Sequence, residues 1–417
     1  MARRNWIIDG WKKASIRNGF EEYDGPIFEY LKMYQIKSGD EIVEQLFSLT
    51  DRGGRELALR PEITPTLARM VNQRINSLPR PIKWFSVPRL FRAERPQKGR
   101  LREFFQWNID IIGEANEFGK VIADAEVIFT TVDYLREVGL TSKDIKVKIS
   151  SRELLAAYLI SIGIPEDRLG TIYPVLDKKA KLPLETFEEL LKEQVPDKKT
   201  VSKILDFMSI DSIPELEELV KGESDESRAY LSIKMVLDHL DTMGVGDFCV
   251  YDPSIVRGLA YYTGIVFEVH DVTGGLRAIC GGGRYDNLLS DFGGPAIPAT
   301  GMGMGDCVLE ILLEEKGLIE KQVPKRQLDY FVACIAFIGD EAWRVIAELR
   351  SMGYSANFSY KMGGLSRQLK EASEQNAKKC IIIGDEELKE DKIRLKDMAT
   401  GQQEMIGIEQ FFERLKA

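Results

Sequence analysis

FRAERPQKGRLREFFQ, residues 91–106, decides how this chain folds and what it holds. Apolar, strand-like pieces flank it, WFSVPRLF on one side and FFQWNIDIIG on the other, with the polar stretch RPQKGR between them. Over 83–113 that pattern predicts two antiparallel strands joined by a long loop, and long loops on a rigid sheet are where binding and catalysis concentrate. The stretch is also a cationic patch, with Lys83, Arg89, Arg92, Arg95, Lys98, Arg100 and Arg102 set against Glu94 and Glu103 in a chain of net charge −9. Guanidiniums stay charged and bind phosphate in bidentate fashion without proton transfer, so such a patch suits a polyanion.

A second segment, RGLAYYTGIVFE at 257–268, again sets an arginine inside a strand-like run. Activating a carboxylic acid with ATP requires in-line attack on the α-phosphate and a counter-charge while pyrophosphate leaves. Arg92, Arg100 and Arg257 are the candidates for that charge. Glu94 lies two residues from Arg92, so on a strand the two share one face, either to meet one ligand or to form a cross-strand salt bridge. Phe104 and Phe105 read equally as core or as a platform for a base. RPEIT (60–64) is a helix cap or a seat for an ammonium group. ICGGGRYD (279–286) lacks the GK[ST] of a phosphate-binding loop and reads as a tight hairpin.

The 417 residues suffice for about three domains. At 44% hydrophobic and 29% charged the composition is that of an ordinary globular enzyme. No apolar run reaches the ~20 residues of a membrane span. The amino terminus, MARRNWIIDGWKKASIRNGF, is broken by Asp9 and lacks a signal peptide's apolar core, which points to the cytoplasm. Cys249, Cys280, Cys307, Cys334 and Cys380 form no CxxC pair and read as reduced, buried thiols. With His239 and His270 the only histidines, neither a metal cluster nor a histidine-based triad is expected.

An α+β chain follows from the order of signals. Residues 1–150 carry a helix, strand pieces and a helix over 117–138 that Gly139 ends as a left-handed cap. Residues 151–228 are rich in Leu, Glu and Lys at helical spacing and read as a helical insertion. Strands resume over 229–320, paired antiparallel, and GPAIPATGMGMGDCVLEILLEEKG (294–317) runs a glycine-spaced strand into an apolar helix. From 325 to 417 strands and helices alternate, giving a separate α/β domain with a mostly parallel sheet whose charges cancel.

FRAERPQKGRLREFFQ resembles the second motif of the class II aminoacyl-tRNA synthetases, and RGLAYYTGIVFE resembles the histidine-binding signature of the histidyl-tRNA synthetase family. GGRYDNLL and SRQLKEASEQNAKKCIIIGDEE are similar to that family too, so the resemblance covers nearly the whole chain. It implies a six- or seven-stranded antiparallel sheet with flanking helices, a helical insertion, a C-terminal anticodon-binding domain and a homodimer formed through the segment around Pro26. Carried over by position, it implies that Arg92 and Arg257 contact the α-phosphate and the reacting carboxylate. Glu94 would meet the adenine amino group, Phe104 would stack on adenine, Arg100 would reach the terminal phosphates, and Arg95 and Gln97 would meet the tRNA acceptor end. Glu62, Thr64 and Gln106 match positions for the α-amino group, and Asp110, Tyr261 and Tyr262 positions that read the imidazole. ATP with Mg²⁺, L-histidine and histidine tRNA are the implied substrates.

Two positions depart from the family pattern. Ala260 replaces an aspartate, and Asp306, Cys307, Val308 stand where the third class II motif has a Glu-Arg pair. Arg100 with Mg²⁺ then suffices for ATP, or Arg277 or Arg284 compensates. A non-catalytic, histidine-sensing paralogue resembling the regulatory subunit of ATP phosphoribosyltransferase is one alternative, disfavoured by the full C-terminal domain. A synthetase for proline, threonine or glycine is another, disfavoured by RGLAYYTG.

Overall fold

The computed structural model describes residues 1–36, 43–114, 116–179, 182–220, 224–256, 262–335, 340–361 and 363–416. The chain divides into two compact units, Arg3–Val323 and Pro324–Ala417.

The first unit contains β1 (Glu21–Glu22), β2 (Phe28–Tyr30), β3 (Ser48–Thr50), β4 (Glu56–Leu59), β5 (Ile82–Ser86), β6 (Arg89–Phe91), β7 (Glu103–Ile112), β8 (Ile145–Ser151), β9 (Cys249–Tyr251), β10 (Ile265–Asp271), β11 (Cys280–Arg284) and β12 (Ala299–Gly305). Among the described residues nine of these form one sheet, ordered β1-β5-β7-β12-β11-β10-β8-β9 with β6 also on β7, while β2-β4-β3 form a small separate sheet. Phe20 to Leu31 is thus two strands in two sheets, parted at Gly25 and Pro26, where one interrupted strand was expected.

The middle of the large sheet is antiparallel, but β1 joins β5 and β9 joins β8 in parallel. Antiparallel pairing was expected for β9. The chain reaches it from the long helix Asp225–Thr242, and a crossover of that length permits a parallel partner. The glycine run is not a hairpin either. It is β11, a central strand buried along its length. A Cβ on Gly282 would overlap the Gly301 carbonyl oxygen and stand 2.8 Å from Met302 Cα, so close strand approach demands glycine here.

Strand β7 turns Trp107, Ile109 and Ile111 to one face, which the helices Ala2–Arg17 and Glu117–Glu137 cover. Trp11 stacks on Trp107 at 6.2 Å, and the Trp107 indole N–H donates to Ser15 Oγ at 2.8 Å. The helix Glu117–Glu137 starts at Asn116, whose side chain accepts from Gly119 N at 2.8 Å, and it buries Val121, Ala125, Ile128, Val132 and Leu135. Gly139, at φ +89°, ends it as expected. The interior of the insertion, Phe187, Leu191, Val201 and Phe207, belongs to the same apolar cluster as Phe267 and Met304 of the sheet. The insertion therefore thickens the core of the first unit.

In the second unit β13 (Leu328–Cys334), β14 (Ala356–Phe358), β15 (Ala377–Ile383), β16 (Lys392–Asp397) and β17 (Gln403–Gly407) are ordered β14-β13-β15-β16-β17. The first three are parallel and the last two antiparallel, so the sheet is mixed. The helix between β13 and β14 is long enough for a crossover, whereas β16 and β17 are joined by a short turn that only antiparallel strands can use.

Candidate active site

Because side chains alternate along a strand, Gln106, Asn108 and Asp110 share the face of β7 opposite its tryptophan. Across the register stand glycines: Gly305 opposite Gln106, Gly303 opposite Asn108 and Gly301 opposite Asp110. On the next strand Gly281 pairs with Gly303 and Gly283 with Gly301. Met302 and Met304 point the other way, into the core. The alternation GMGMG thus strips side chains from one face of β11 and β12 and leaves a backbone floor beside the polar groups of β7.

At one end of this floor lies a cleft of about 300 Å³ whose lining includes Arg92, Glu94, Arg100, Phe104, Gln106, Arg277 and Cys307. Strand β6 ends at Phe91, so Arg92 and Glu94 do not share a strand face as expected. The loop is instead fixed by backbone bonds, Phe91 N to Arg60 O at 3.0 Å and Arg92 N to Arg102 O at 2.9 Å. Arg92 Nε donates to Pro61 O at 3.0 Å, and its guanidinium lies 5.3 Å from the Phe104 ring centroid. Glu94 sits 4.0 Å from Arg92 and pairs closely with Arg100. Gln97 and Arg100 exchange backbone hydrogen bonds of 3.1 and 2.9 Å, closing a turn that places Gly99 at φ +77°. Arg95 and Gln97 are exposed at its tip. Phe105, on the other face, is core and carries Arg89 at 5.0 Å.

Toward the other end of β7 the chemistry inverts. Asp110 is 3% exposed, Tyr285 donates its hydroxyl to Oδ1, and Oδ2 has no hydrogen-bond partner among the described residues. Burial pushes this carboxyl up to about 7, opposed by the Tyr285 hydrogen bond. The buried Tyr23 hydroxyl also lacks a partner there, and burial with the nearby Asp110 charge raises its pKa. Tyr23, Ile63, Tyr262, Val266 and Tyr285 form one apolar cluster on this face. Two polar groups without partners among the described residues, set in an apolar wall, are candidates for hydrogen bonding to a ligand. Gly301 makes the room: a Cβ there would overlap Asp110 Oδ1 and lie 2.7 Å from Ile109 O and 2.9 Å from the Tyr285 hydroxyl.

Glu62 is buried, and Thr64 is the half-buried first residue of the helix Thr64–Arg74. The cap position falls on Ile63 and no side chain caps it, so RPEIT is not the helix cap it resembled. The Pro61 bond to Arg92 ties this segment to the cleft. Arg257, Ala260 and Tyr261 lie outside the described residues.

Asp306, at the start of the helix Asp306–Glu315, is buried and structural: it accepts from Phe105 N at 3.2 Å and pairs with Arg4 at 3.3 Å. The Cys307 thiol donates to Asp306 at 3.3 Å, and burial followed by the Asp306 charge pushes its pKa up to about 12, so it brings no charge to the cleft. Of the two arginines weighed as replacements, Arg277 lines the cleft. Arg284 does not; it is bound to Asp124 at 2.9 Å, Asp286 at 3.1 Å and the Lys120 carbonyl at 2.7 Å.

Sequence reading passed over Tyr23, Tyr285 and Gly301. Tyr285 and Gly301 stood inside segments already marked for glycine spacing, and the period-2 register between β7, β12 and β11 would have aligned them with Asp110. Among the described residues no group of three or more His, Cys, Asp or Glu side chains is arranged for a metal ion, and no helix is long and apolar enough to cross a membrane.

A family model described as histidyl-tRNA synthetase matches residues 2–305, and one described as an anticodon binding domain matches residues 329–417. The chain is 40% identical over 403 residues to a histidine–tRNA ligase of Opitutus terrae, covering 96% of this chain and 91% of that protein. It is 37% identical over 403 residues to the chloroplastic/mitochondrial histidine–tRNA ligase of Arabidopsis thaliana, covering 97% and 81%. Among solved structures, histidyl-tRNA synthetase from Nostoc superposes with a TM-score of 0.79 at 24% identity, covering 98% of this chain and 95% of that one, a likeness of fold.

Proposed function

The chain belongs to the histidyl-tRNA synthetase family, and on that premise we propose that it is an ATP-dependent histidine–tRNA ligase whose chemistry runs along the polar face of β7. The observation that carries this reading is the pairing, on one strand face, of an arginine-lined cleft with a buried carboxylate whose second oxygen lacks a donor among the described residues. A histidine carboxylate oxygen attacks the α-phosphorus of ATP, the bond to pyrophosphate breaks, and histidyl-adenylate forms. A ribose hydroxyl of the terminal tRNA adenosine then attacks the histidyl carbonyl and AMP leaves.

In this scheme Arg92, fixed by Pro61 O, neutralises the α-phosphate and the incoming carboxylate, with Arg257 assisting. Glu94 and Phe104 hold adenine, and Arg100 reaches the terminal phosphates, exchanging its Glu94 partner for them. Asp110 accepts an imidazole N–H, with Tyr261 and Tyr262 completing the ring's surroundings. Glu62, Thr64 and Gln106 receive the α-ammonium group. Arg95 and Gln97, exposed at the loop tip, face the acceptor end of tRNA, and Pro324–Ala417 reads the anticodon. Mg²⁺ enters as part of the substrate, bound to the phosphates of ATP.

Dimerisation is supported by the outward set of β2 and its neighbours: Ile27, Phe28, Tyr30 and Leu49 are 45%, 47%, 58% and 42% exposed beside Pro26. A cluster of large apolar side chains left in water marks a protein contact, and it fits a second copy of this chain in the cytoplasm. The regulatory paralogue is disfavoured by the full C-terminal domain, which an anticodon-binding family model matches over residues 329–417.

The deciding measurement is amino-acid-dependent exchange of pyrophosphate into ATP with histidine, proline, threonine and glycine in turn. Exchange with histidine alone is expected. Histidine binding without exchange would leave a sensor, and exchange with another amino acid would reassign the pocket.

A further inference from the structure

Of the guanidiniums lining the cleft, Arg92 lies near Glu94 and Arg100 is paired with it, and Cys307 contributes no charge. Arg277 differs. It stands on the connection between β10 and β11, and among the described residues no carboxylate lies within ion-pair distance of it. Among the described residues its side chain donates from Nη2 to the neutral Gln97 Oε1 at 2.8 Å, which joins it to the loop that carries Arg100. Exposed, and among the described residues not paired with a carboxylate, this guanidinium on the cleft wall suits an anionic ligand. Cys307 sits on the same lining, at the position where the third class II motif has its arginine.

We propose that Arg277 is the phosphate-binding arginine of this chain, contacting the terminal phosphates of ATP in place of the side chain absent at Cys307. The proposal rests on the reading of this cleft as the ATP site. Gln97 keeps the guanidinium extended across the cleft before ATP arrives, and the turn at Gly99 holds Gln97 in position. The charge is thus delivered from the connection between β10 and β11 and latched to the opposite loop, where the family pattern would deliver it from the helix that begins at Asp306.

The test is Arg277→Gln in the full chain, read by histidine-dependent pyrophosphate exchange and by direct binding of ATP and of AMP. The expected result is a rise in KM for ATP of about three- to tenfold, the size of one exposed charge contact, with KM for histidine and affinity for AMP changed by less than about twofold. Adding Cys307→Arg to Arg277→Gln is expected to restore much of the loss, which a merely structural arginine would not allow. Because Arg277 is exposed, the variant should fold, and Arg277→Lys, retaining charge without the fork, should fall between. If Arg277→Gln leaves KM for ATP unchanged while Arg100→Gln raises it, the cleft is the ATP site and the proposal for Arg277 is wrong. If neither variant alters ATP use, the reading of the cleft falls and takes the proposal with it.

Discussion

The two ends of the β7 face solve opposite electrostatic problems. The Arg92 to Arg100 end is a net cationic loop in which Glu94 lies near Arg92 and pairs with Arg100. The Asp110 end is a single carboxyl so buried that it is driven up to about 7, with Tyr285 its one donor among the described residues. The difference teaches where affinity and where selectivity come from. Half-exposed charges in high dielectric each contribute little, so under the proposed reading phosphate binding would be shared among several arginines. A buried acceptor is all or nothing, because a ligand without the matching N–H leaves it unpaired.

The strongest way to break this comparison is Asp110→Asn. Losing a buried charged acceptor should lower kcat/KM for histidine in pyrophosphate exchange by about 10³-fold, while ATP binding stays within about twofold. A loss shared equally between the two substrates would mean that the ends are not separable.

Gly301→Ala attacks the same end by geometry alone. The added methyl would overlap Asp110 Oδ1 and crowd Ile109 O and Tyr285, and overpacking of ~1–3 kcal/mol predicts a rise in KM for histidine of about tenfold to a hundredfold. A variant with unchanged KM for histidine would show that the glycine face is not the floor of the pocket.

Arg100→Gln should have a smaller effect, about three- to tenfold in KM for ATP, since this side chain is 41% exposed and shares its task. Raising ionic strength should weaken ATP use and leave KM for histidine nearly constant, as screening reaches exposed charges far more than buried ones. Equal salt sensitivity of both substrates would collapse the distinction.

How much of this was legible in sequence divides along the same line. The arginine loop declared itself, because charged residues between apolar strands have few structural excuses, and the helices ending at Gly139 and starting at Asp306 followed from periodicity and glycine. The β11 run misled, since Gly281 to Gly283 look alike whether they make a turn or let two strands touch; only the neighbouring Met302 backbone decides. Tyr285 needed the register of three strands to be aligned with Asp110, and Tyr23 carried no local signal at all, since it comes near Asp110 through the strand order β1-β5-β7. The parallel seat of β9 depended likewise on where a long helix returns the chain.

The smallest expected effect is on stability, and its sign discriminates most sharply between the ends. With no ligand, Asp110 holds its proton up to about pH 7 in the folded chain, whereas the ordinary value is 3.8. The folded state therefore binds the extra proton between those limits, and the contribution of this group is fully present near pH 4 and lost as pH rises through 7. An uncharged amide in its place carries no such cost. Asp110→Asn should thus match the parent in thermal unfolding of the first unit at about pH 4 and exceed it by about 2 °C or more at about pH 8. If histidine supplies the missing donor as proposed, saturating histidine should narrow that gap by stabilising the parent alone. Arg100→Gln, made as the control at the opposite end, should show no change of Tm difference between the two pH values; a pH-dependent gap there, or none for Asp110→Asn, would mean that burial does not separate the two ends of β7.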